Sequence, residues 1–315
     1  MLAALLAGWS FLAHPAAPAA PAMAGMVLAG IAAWVGGGWL ARSYREAPGV
    51  AVVALVTVAM LAGGTESLSG GATAPPLGYA NASAALLTIG VAGALSAAAH
   101  ARDRLRTGLV VWAGVLAVAS LATGSRAVAA CCVLLMLLWP RLRRGPAAAW
   151  QAFAATVVGA AVVATVLLGA TGSSSAEAGV VPETVGSTRV DLWSEALDIT
   201  ADHPVRGVGP GNFSLHSPTA GSDPDLQWAH STPMQVLAEL GLVGLALLAA
   251  LTGWMVLALG RGAVFLAILA LQPTVDYVLT FPAVLLGAAF VLGSVAATGV
   301  GRPGYLPVQR VSSSP

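Results

Sequence analysis

Long apolar runs separated by short polar segments constrain this chain more than any motif does. A helix needs about 20 apolar residues to cross a bilayer, and ten candidates follow one another: 2–13, 22–41, 49–64, 79–99, 107–123, 126–140, 147–170, 233–260, 262–279 and 282–299. Only 9% of the 315 residues are charged, against about 25% in a soluble domain. We therefore predict an all-α polytopic transmembrane helix bundle of about ten helices, with residues 1–315 forming a single integral membrane domain.

Arginine placement predicts the orientation of this bundle, because cytoplasmic loops of membrane proteins carry an excess of basic residues. With a cytoplasmic N-terminus, 11 of the 14 basic residues, all of them Arg, lie on the cytoplasmic side. The three exceptions are Arg126, Arg189 and Arg206. Residues 171–232 then form one large extracytoplasmic loop. The exclusive use of Arg, with an excess of Ala and Gly, suggests a high-G+C bacterial genome and hence a bacterial cytoplasmic membrane.

The stretch from Arg189 to Gly244 holds most of the polar chemistry: three of the five histidines, two arginines and seven carboxylates. Apolar residues at helical spacing predict an amphipathic helix over 189–202, opened by a capping box of Thr188 and Asp191. A glycine-rich turn, 207–213, follows it. The helix predicted over 233–260 then carries a polar stripe of residues four apart, namely Ser231, Gln235 and Glu239.

Each polar feature has a structural interpretation beside the functional one. The three outer arginines hold an anionic ligand or pair with acids, and Glu239 is functional or pairs with an arginine of a neighbouring helix. The glycine-rich turn approaches a ligand or is a plain turn, and Asn81 belongs to the site or caps its own helix. Trp193 is expected at a lipid or protein interface. Four further residues match no strong metal-ligand spacing, so no metal site is predicted there: Asp198, Asp202, His203 and His216.

An ordered set of these residues resembles the O-antigen ligase and O-antigen polymerase family of polytopic membrane glycosyltransferases. The set is Arg189, Trp193, His203-Pro204, Gly207-Val208-Gly209-Pro210-Gly211-Asn212-Phe213, His230-Ser231 and Glu239-Leu240-Gly241. Three shorter pieces agree with it: Thr123-Gly124-Ser125-Arg126, Tyr79-Ala80-Asn81-Ala82, and Asp276-Tyr277-Val278-Leu279 with Phe281-Pro282. One departure is Ala127, where the family often has Gly after the arginine.

The resemblance implies transfer of a glycan from a polyprenyl (undecaprenyl-type) pyrophosphate to an acceptor hydroxyl, by ligation or polymerisation, on the outer face of the membrane. The partners it implies are this lipid-linked donor, a glycan or glycolipid acceptor and membrane lipid, with no metal, cofactor or nucleic acid. A net charge of +1 likewise gives no basic field for nucleic acid. The catalytic residues expected from the resemblance are His230, Arg189 and Arg126, and the substrate-binding residues are Arg206, Gly209, Asn212, Glu239 and Asn81.

Some alternatives remain open at this point. His230 is the best-placed general base, but Asp223, Asp225 and Glu239 are other candidates, and His230 has the alternative of capping the helix near Pro233 or hydrogen-bonding the sugar. A transporter or flippase of polyprenyl-linked glycan would share the arginines, although no inverted repeat is visible. A structural or sensor protein with an extracellular loop leaves the ordered polar set unexplained.

The orientation gives a first testable prediction. In intact cells, a membrane-impermeant thiol reagent should label Ser174→Cys and should not label Ser313→Cys, because the loop 171–232 faces outward and both termini face the cytoplasm. The unsubstituted chain, with its own Cys131 and Cys132, sets the background. Labelling of Ser313→Cys without Ser174→Cys would reverse the assigned orientation.

Overall fold

A computed structural model of the chain describes residues 1–14, 17, 19–68, 74–142, 145–172, 186–223 and 226–299, apart from the side chain of Phe11. Within these ranges the chain forms helices and turns, with no β-strand. The α-helices are α1 Leu2–Ala13, α2 Ala20–Ser43, α3 Ala47–Ala62, α4 Ala80–Ala98, α5 Asp103–Ala122, α6 Arg126–Leu138, α7 Ala147–Thr171, α8 Ser187–Asp202, α9 Phe213–His216, α10 Pro218–Ser222, α11 Thr232–Leu259, α12 Ala263–Val275 and α13 Pro282–Thr298.

The prediction of an all-α membrane protein is confirmed. Each of the ten predicted apolar segments overlaps one of these helices. Five helical stretches are long and apolar enough to cross a membrane, namely Ala20–Ser43, Ala80–Ala98, Asp103–Ala122, Ala147–Thr171 and Thr232–Val275. The number of crossings and the outward position of the 171–232 loop remain predictions, and residues 173–185 of that loop, including Ser174, lie outside the described ranges, as does Ser313.

Helix α4 lies at the centre of the bundle, and every residue from Ala82 to Ala98 is buried. It packs against α3, α5, α6 and α13. Its Ala- and Gly-rich sequence permits this, because small residues let helix backbones approach closely. A Cβ atom on Gly49 of α3, for example, would lie 2.3 Å from the carbonyl oxygen of Gly93 in α4. Large exposed apolar side chains, such as Val58, Val118 and Leu167, remain on the outer helices, which suits contact with lipid.

The predicted amphipathic helix is present as α8, which begins at Ser187 rather than Arg189. The predicted capping box is wrong, because the N-cap residue is Gly186 and no side chain caps the helix. Trp193 is fully buried, and a Cβ atom on Gly169 of α7 would lie 3.0 Å from its Cβ. Of the two environments expected for Trp193, the structure therefore shows the protein interface, between α7 and α8.

Helix α11 is broken at Gly241, where φ is 68° and ψ is −168°. The prediction of one uninterrupted helix over 233–260 is therefore wrong at this residue. A break in a buried helix leaves backbone N–H and C=O groups without their helical partners, and such groups must find partners within the protein. Earlier parts of the chain supply these partners. Three carbonyl oxygens before the break accept hydrogen bonds: Ala238 from the N–H of Val208 (3.0 Å), Glu239 from the N–H of Gly209 (2.9 Å) and Leu240 from the indole N–H of Trp9 (3.0 Å). After the break, the N–H of Leu242 donates to the carbonyl oxygen of Pro204 (2.8 Å).

Two glycines allow this arrangement. Gly241 has a positive φ, and a Cβ atom there would lie 2.4 Å from the carbonyl oxygen of Val205. Gly207 also has a positive φ, and its Cβ atom would lie 2.4 Å from the carbonyl oxygen of Ala238. The number of residues between His230 and Gly241 therefore sets the length of the half-helix that begins at Thr232, after the loop, and ends at the break.

We predict that Gly241→Ala lowers the thermal stability of the detergent-solubilised protein. The backbone conformation of Gly241 is essentially confined to glycine and costs another residue about 1–3 kcal/mol, and the contact with Val205 adds to this cost. Gly253→Ala is the matched control, since Gly253 lies in the same helix and a Cβ atom there meets nothing within 4 Å; it should be neutral or slightly stabilising. The fraction of monodisperse protein after heating measures both effects, and equal melting of the two variants would contradict the prediction.

Candidate functional site

A buried carboxylate, Asp276, lies at the centre of a polar cluster formed at the end of α12. Its side chain accepts hydrogen bonds from the hydroxyl of Tyr79 (3.0 Å), Nδ2 of Asn81 (2.6 Å), Nη2 of Arg189 (3.2 Å) and the backbone N–H of Tyr277 (2.7 Å). Asp276 is only 5% exposed, and a buried charge of this kind is stable only when it is paired and hydrogen-bonded. The cluster joins the start of α4, the start of α8 and the end of α12.

His230 lies beside this carboxylate, at the end of the loop that precedes α11. Its Nδ1 is 3.9 Å from Oδ1 of Asp276. The residue is buried, and neither ring nitrogen has a hydrogen-bond partner among the described residues. Its backbone has a φ of 49°, which is uncommon for a residue other than glycine and is typical of functional sites. An unpartnered buried imidazole is costly, and both ring nitrogens are available to a water molecule or a ligand.

The surroundings of His230 favour its neutral form. Burial lowers the pKa of the imidazole below its ordinary value, and the positive charge of Arg189 acts in the same direction. The negative charge of Asp276 opposes them but does not reverse the shift. At neutral pH the ring is therefore uncharged, with one nitrogen free to accept a proton.

A chain of polar contacts connects His230 with the glycine-rich turn. The amide of Gln235 accepts from the N–H of Ala229 (2.7 Å) and donates to Oε1 of Glu239 (2.7 Å). The same oxygen accepts from the N–H of Gly211 (2.8 Å) and of Phe213 (3.4 Å). Glu239 therefore ties the turn to the first half of α11. The predicted polar stripe is confirmed, and the pairing of Glu239 with an arginine is wrong for the described residues.

Four half-buried aromatic rings lie next to the polar cluster. Tyr277 stacks on Tyr79, with ring centroids 4.7 Å apart, and on Trp228, at 6.2 Å. Phe281 stacks on Tyr79 at 5.7 Å. Tyr277 also lies 4.6 Å from the His230 ring in an edge-to-face arrangement, with an angle of 83° between the planes. Tyr277 is therefore a ring neighbour of both the imidazole and the indole of Trp228.

The predicted site residues fall into three groups. His230, Arg189 and Asn81 lie together around Asp276. The capping interpretation of Asn81 is wrong, since its side chain bonds Asp276 and Tyr79. The turn residues Gly209 and Asn212 belong with Glu239 in the second cluster, where Nδ2 of Asn212 donates to the carbonyl oxygen of Val208 at 2.9 Å.

Arg126 and Arg206 form the third group. Both side chains are exposed and make no hydrogen bond or ion pair with residues of the described ranges. Arg126 is the first residue of α6. Arg206 lies in the turn, where its backbone carbonyl oxygen accepts from Nε2 of His14 at 3.0 Å. Convergence of the three arginines on one anion therefore stays a prediction.

The remaining candidates are two acids and two histidines. Asp223 follows α10, and Asp225 lies outside the described residues. The rings of His203 and His216, both exposed, face each other edge to face at 6.2 Å. Within the described part of the chain, no group of three His, Cys, Asp or Glu side chains is arranged to hold a metal ion.

Sequence reasoning named Asp276 as part of a motif and missed its place in the site. The criterion that selected Glu239, an ionisable residue at an apolar helix, applies equally to Asp276 at the end of the run 262–279. Its partners come from residues far apart in the chain, and spacing along the sequence does not show that contact.

A family model described as O-Antigen ligase matches residues 114–249. The match covers less than half of the chain, and over this stretch the chain is similar to the O-antigen ligase family. No curated protein matches the chain. The ligase-family stretch contains Arg126, Arg189 and His230, while Asn81 and Asp276 lie outside it. This similarity supports a ligase-type role in glycan transfer in general, with a lipid-linked glycan donor and a glycan acceptor.

The charges around His230 give a prediction with a defined sign. Asp276→Asn should lower the pKa of His230 further, because it removes the charge that favours the imidazolium. Arg189→Gln should raise the pKa, because it removes a repelling cation. NMR titration of histidine-labelled protein measures both, with the exposed His203 and His216 as internal references. Shifts of the same sign in the two variants would contradict this account of the site.

Proposed function

We propose that the chain transfers a glycan from a polyprenyl-pyrophosphate carrier to an acceptor hydroxyl at the outer face of a bacterial cytoplasmic membrane. One observation carries the proposal: a buried imidazole with both nitrogens unpartnered lies beside an arginine that a buried carboxylate holds in place. A general base and a fixed cation are the two groups that such a displacement requires.

His230 acts as the general base. Its neutral ring accepts the proton of the acceptor hydroxyl as that oxygen bonds to the anomeric carbon of the donor sugar. The bond between this carbon and the pyrophosphate oxygen breaks, and its electron pair leaves with the carrier. Asp276 compensates the positive charge that His230 gains, since its carboxylate lies 3.9 Å from Nδ1.

Arg189 stabilises the departing pyrophosphate. Among the described residues Asp276 uses one donor of its guanidinium, Nη2, and the group has five N–H donors in a planar fork that suits phosphate oxygens. The exposed cations Arg126 and Arg206 add to this anion site when the donor binds. Asn81 fixes the Asp276 carboxylate, while Glu239, Gly209 and Asn212 shape the turn that presents Arg206 to the donor.

The test is to incubate the purified protein with a polyprenyl-pyrophosphate-linked oligosaccharide and candidate glycan acceptors, without any nucleotide sugar. Release of the free polyprenyl pyrophosphate, together with a glycan of increased mass, supports the proposal. A flippase would leave the bond between glycan and carrier intact. An intact carrier with every acceptor would overturn the transfer reaction.

We predict that His230→Asn lowers the transfer rate by about 10²–10⁴-fold, the usual contribution of a general base. Asn tolerates a left-handed backbone, so the variant should keep the fold and bind the donor. The wild-type rate should fall as the pH drops through the His230 pKa, which lies below about 6.5, and the residual rate of the variant should lose this dependence.

Glu239→Gln is the matched comparison, because Glu239 is the other buried acid on the same half-helix. It should keep the pH profile of the wild type. Near-full transfer by His230→Asn with an unchanged profile would move the base elsewhere.

A further inference from the structure

We propose that Trp228 forms the binding surface for the sugar ring of the acceptor. This inference rests on the transfer reaction proposed above and adds the residue that holds the acceptor's sugar. Trp228 lies two residues before His230, in the non-helical segment 226–231 between α10 and α11. Its indole is half-buried and stacks on Tyr277.

The position of Tyr277 relates the indole to the base. The rings of His230 and Tyr277 lie edge to face with centroids 4.6 Å apart, and Trp228 stacks nearly parallel to the Tyr277 ring at 6.2 Å, with 15° between the planes. His230 and Trp228 are therefore both ring neighbours of Tyr277, as Tyr79 and Phe281 also are. A ligand that contacts the indole lies near the imidazole, since both rings contact the same tyrosine.

The chemistry of this surface fits a sugar. A pyranose ring has an apolar C–H face and a rim of hydroxyl groups, so it matches a flat aromatic ring that borders a polar cluster. The unpartnered nitrogens of His230 provide an independent indication that a polar ligand occupies this place. Gln227, the residue before Trp228, is exposed and adds a polar side chain to this part of the loop.

The acceptor sugar fits this place better than the donor does. The base touches the hydroxyl that attacks, so the sugar beside His230 is the one that carries this hydroxyl. The donor is held through its pyrophosphate by Arg189, whose guanidinium contacts Asp276. The polyprenyl chain enters from the bilayer, whereas Trp228 belongs to the loop before α11 and to none of the apolar helices.

Two substitutions separate a stacking surface from simple apolar packing. Trp228→Phe keeps an aromatic face, and Trp228→Leu keeps apolar bulk without a face. Trp39→Leu is the control, since Trp39 is 67% exposed on α2 and is no part of the site. The probes are the methyl glycosides of glucose, galactose, mannose and N-acetylglucosamine, and saturation-transfer NMR with the detergent-solubilised protein measures their binding.

At least one glycoside should receive saturation on its ring C–H protons, with Trp228→Phe keeping the signal, Trp228→Leu losing it and Trp39→Leu leaving it unchanged. In the transfer assay, Trp228→Leu should raise the acceptor KM by about three- to tenfold, the scale of an aromatic contact. It should leave kcat and the KM for the donor near the wild-type values.

The outcomes separate this inference from the transfer reaction. If the wild type transfers glycan and Trp228→Leu keeps both the acceptor KM and glycoside binding, the sugar surface is wrong and the reaction stands. If glycosides bind through Trp228 but no carrier is ever released, the reaction is wrong and the surface stands. Equal loss in Trp228→Phe and Trp228→Leu would show that the indole is needed for packing alone, and would overturn the proposal.

Discussion

The structure depends on one requirement, that every buried backbone N–H and C=O group has a hydrogen-bond partner. Helix α11 breaks at Gly241, and the glycine-rich turn supplies two of the missing donors, to Ala238 and Glu239. Because the turn must reach these carbonyl groups, its place relative to α11 is fixed. The same contacts bring the side chain of Glu239 to the turn and, through Gln235, to the loop that carries His230. The hydrogen bonds that satisfy the broken helix therefore also fix the position of the loop that contains His230, the candidate base.

Asp276 is the second residue on which the arrangement of the site depends. Its carboxylate is the negative partner of Arg189, and it also opposes the effect of burial on His230. Electrostatic interactions are stronger where water is excluded, so a single buried carboxylate influences both groups. Four donors surround it, from the side chains of Tyr79, Asn81 and Arg189 and from the backbone of Tyr277. These contacts hold together segments that are distant in the sequence.

Local features were predictable from the sequence, and contacts between distant segments were not. Apolar length located the helices, and the four-residue spacing of Ser231, Gln235 and Glu239 placed them on one face. The break at Gly241 was missed because a glycine within an apolar run is also compatible with an unbroken helix. The role of Asp276 was missed because its partners, Tyr79, Asn81 and Arg189, meet it only after folding. Of the three arginines predicted to face outward, Arg189 alone contacts this carboxylate among the described residues, because pairing depends on a geometry that the predicted side of the membrane does not fix.

The position of Asp276 outside the stretch 114–249 has a practical consequence. A chimaera that transplants the ligase-family stretch into another scaffold would carry the imidazole and the guanidinium without the carboxylate between them. Arg189 would then keep its charge but lose its anchor, and His230 would lose the group that compensates its proton. The unit that can be exchanged between proteins of this kind therefore extends from Tyr79 to Tyr277, which is considerably longer than the stretch that the family model matches.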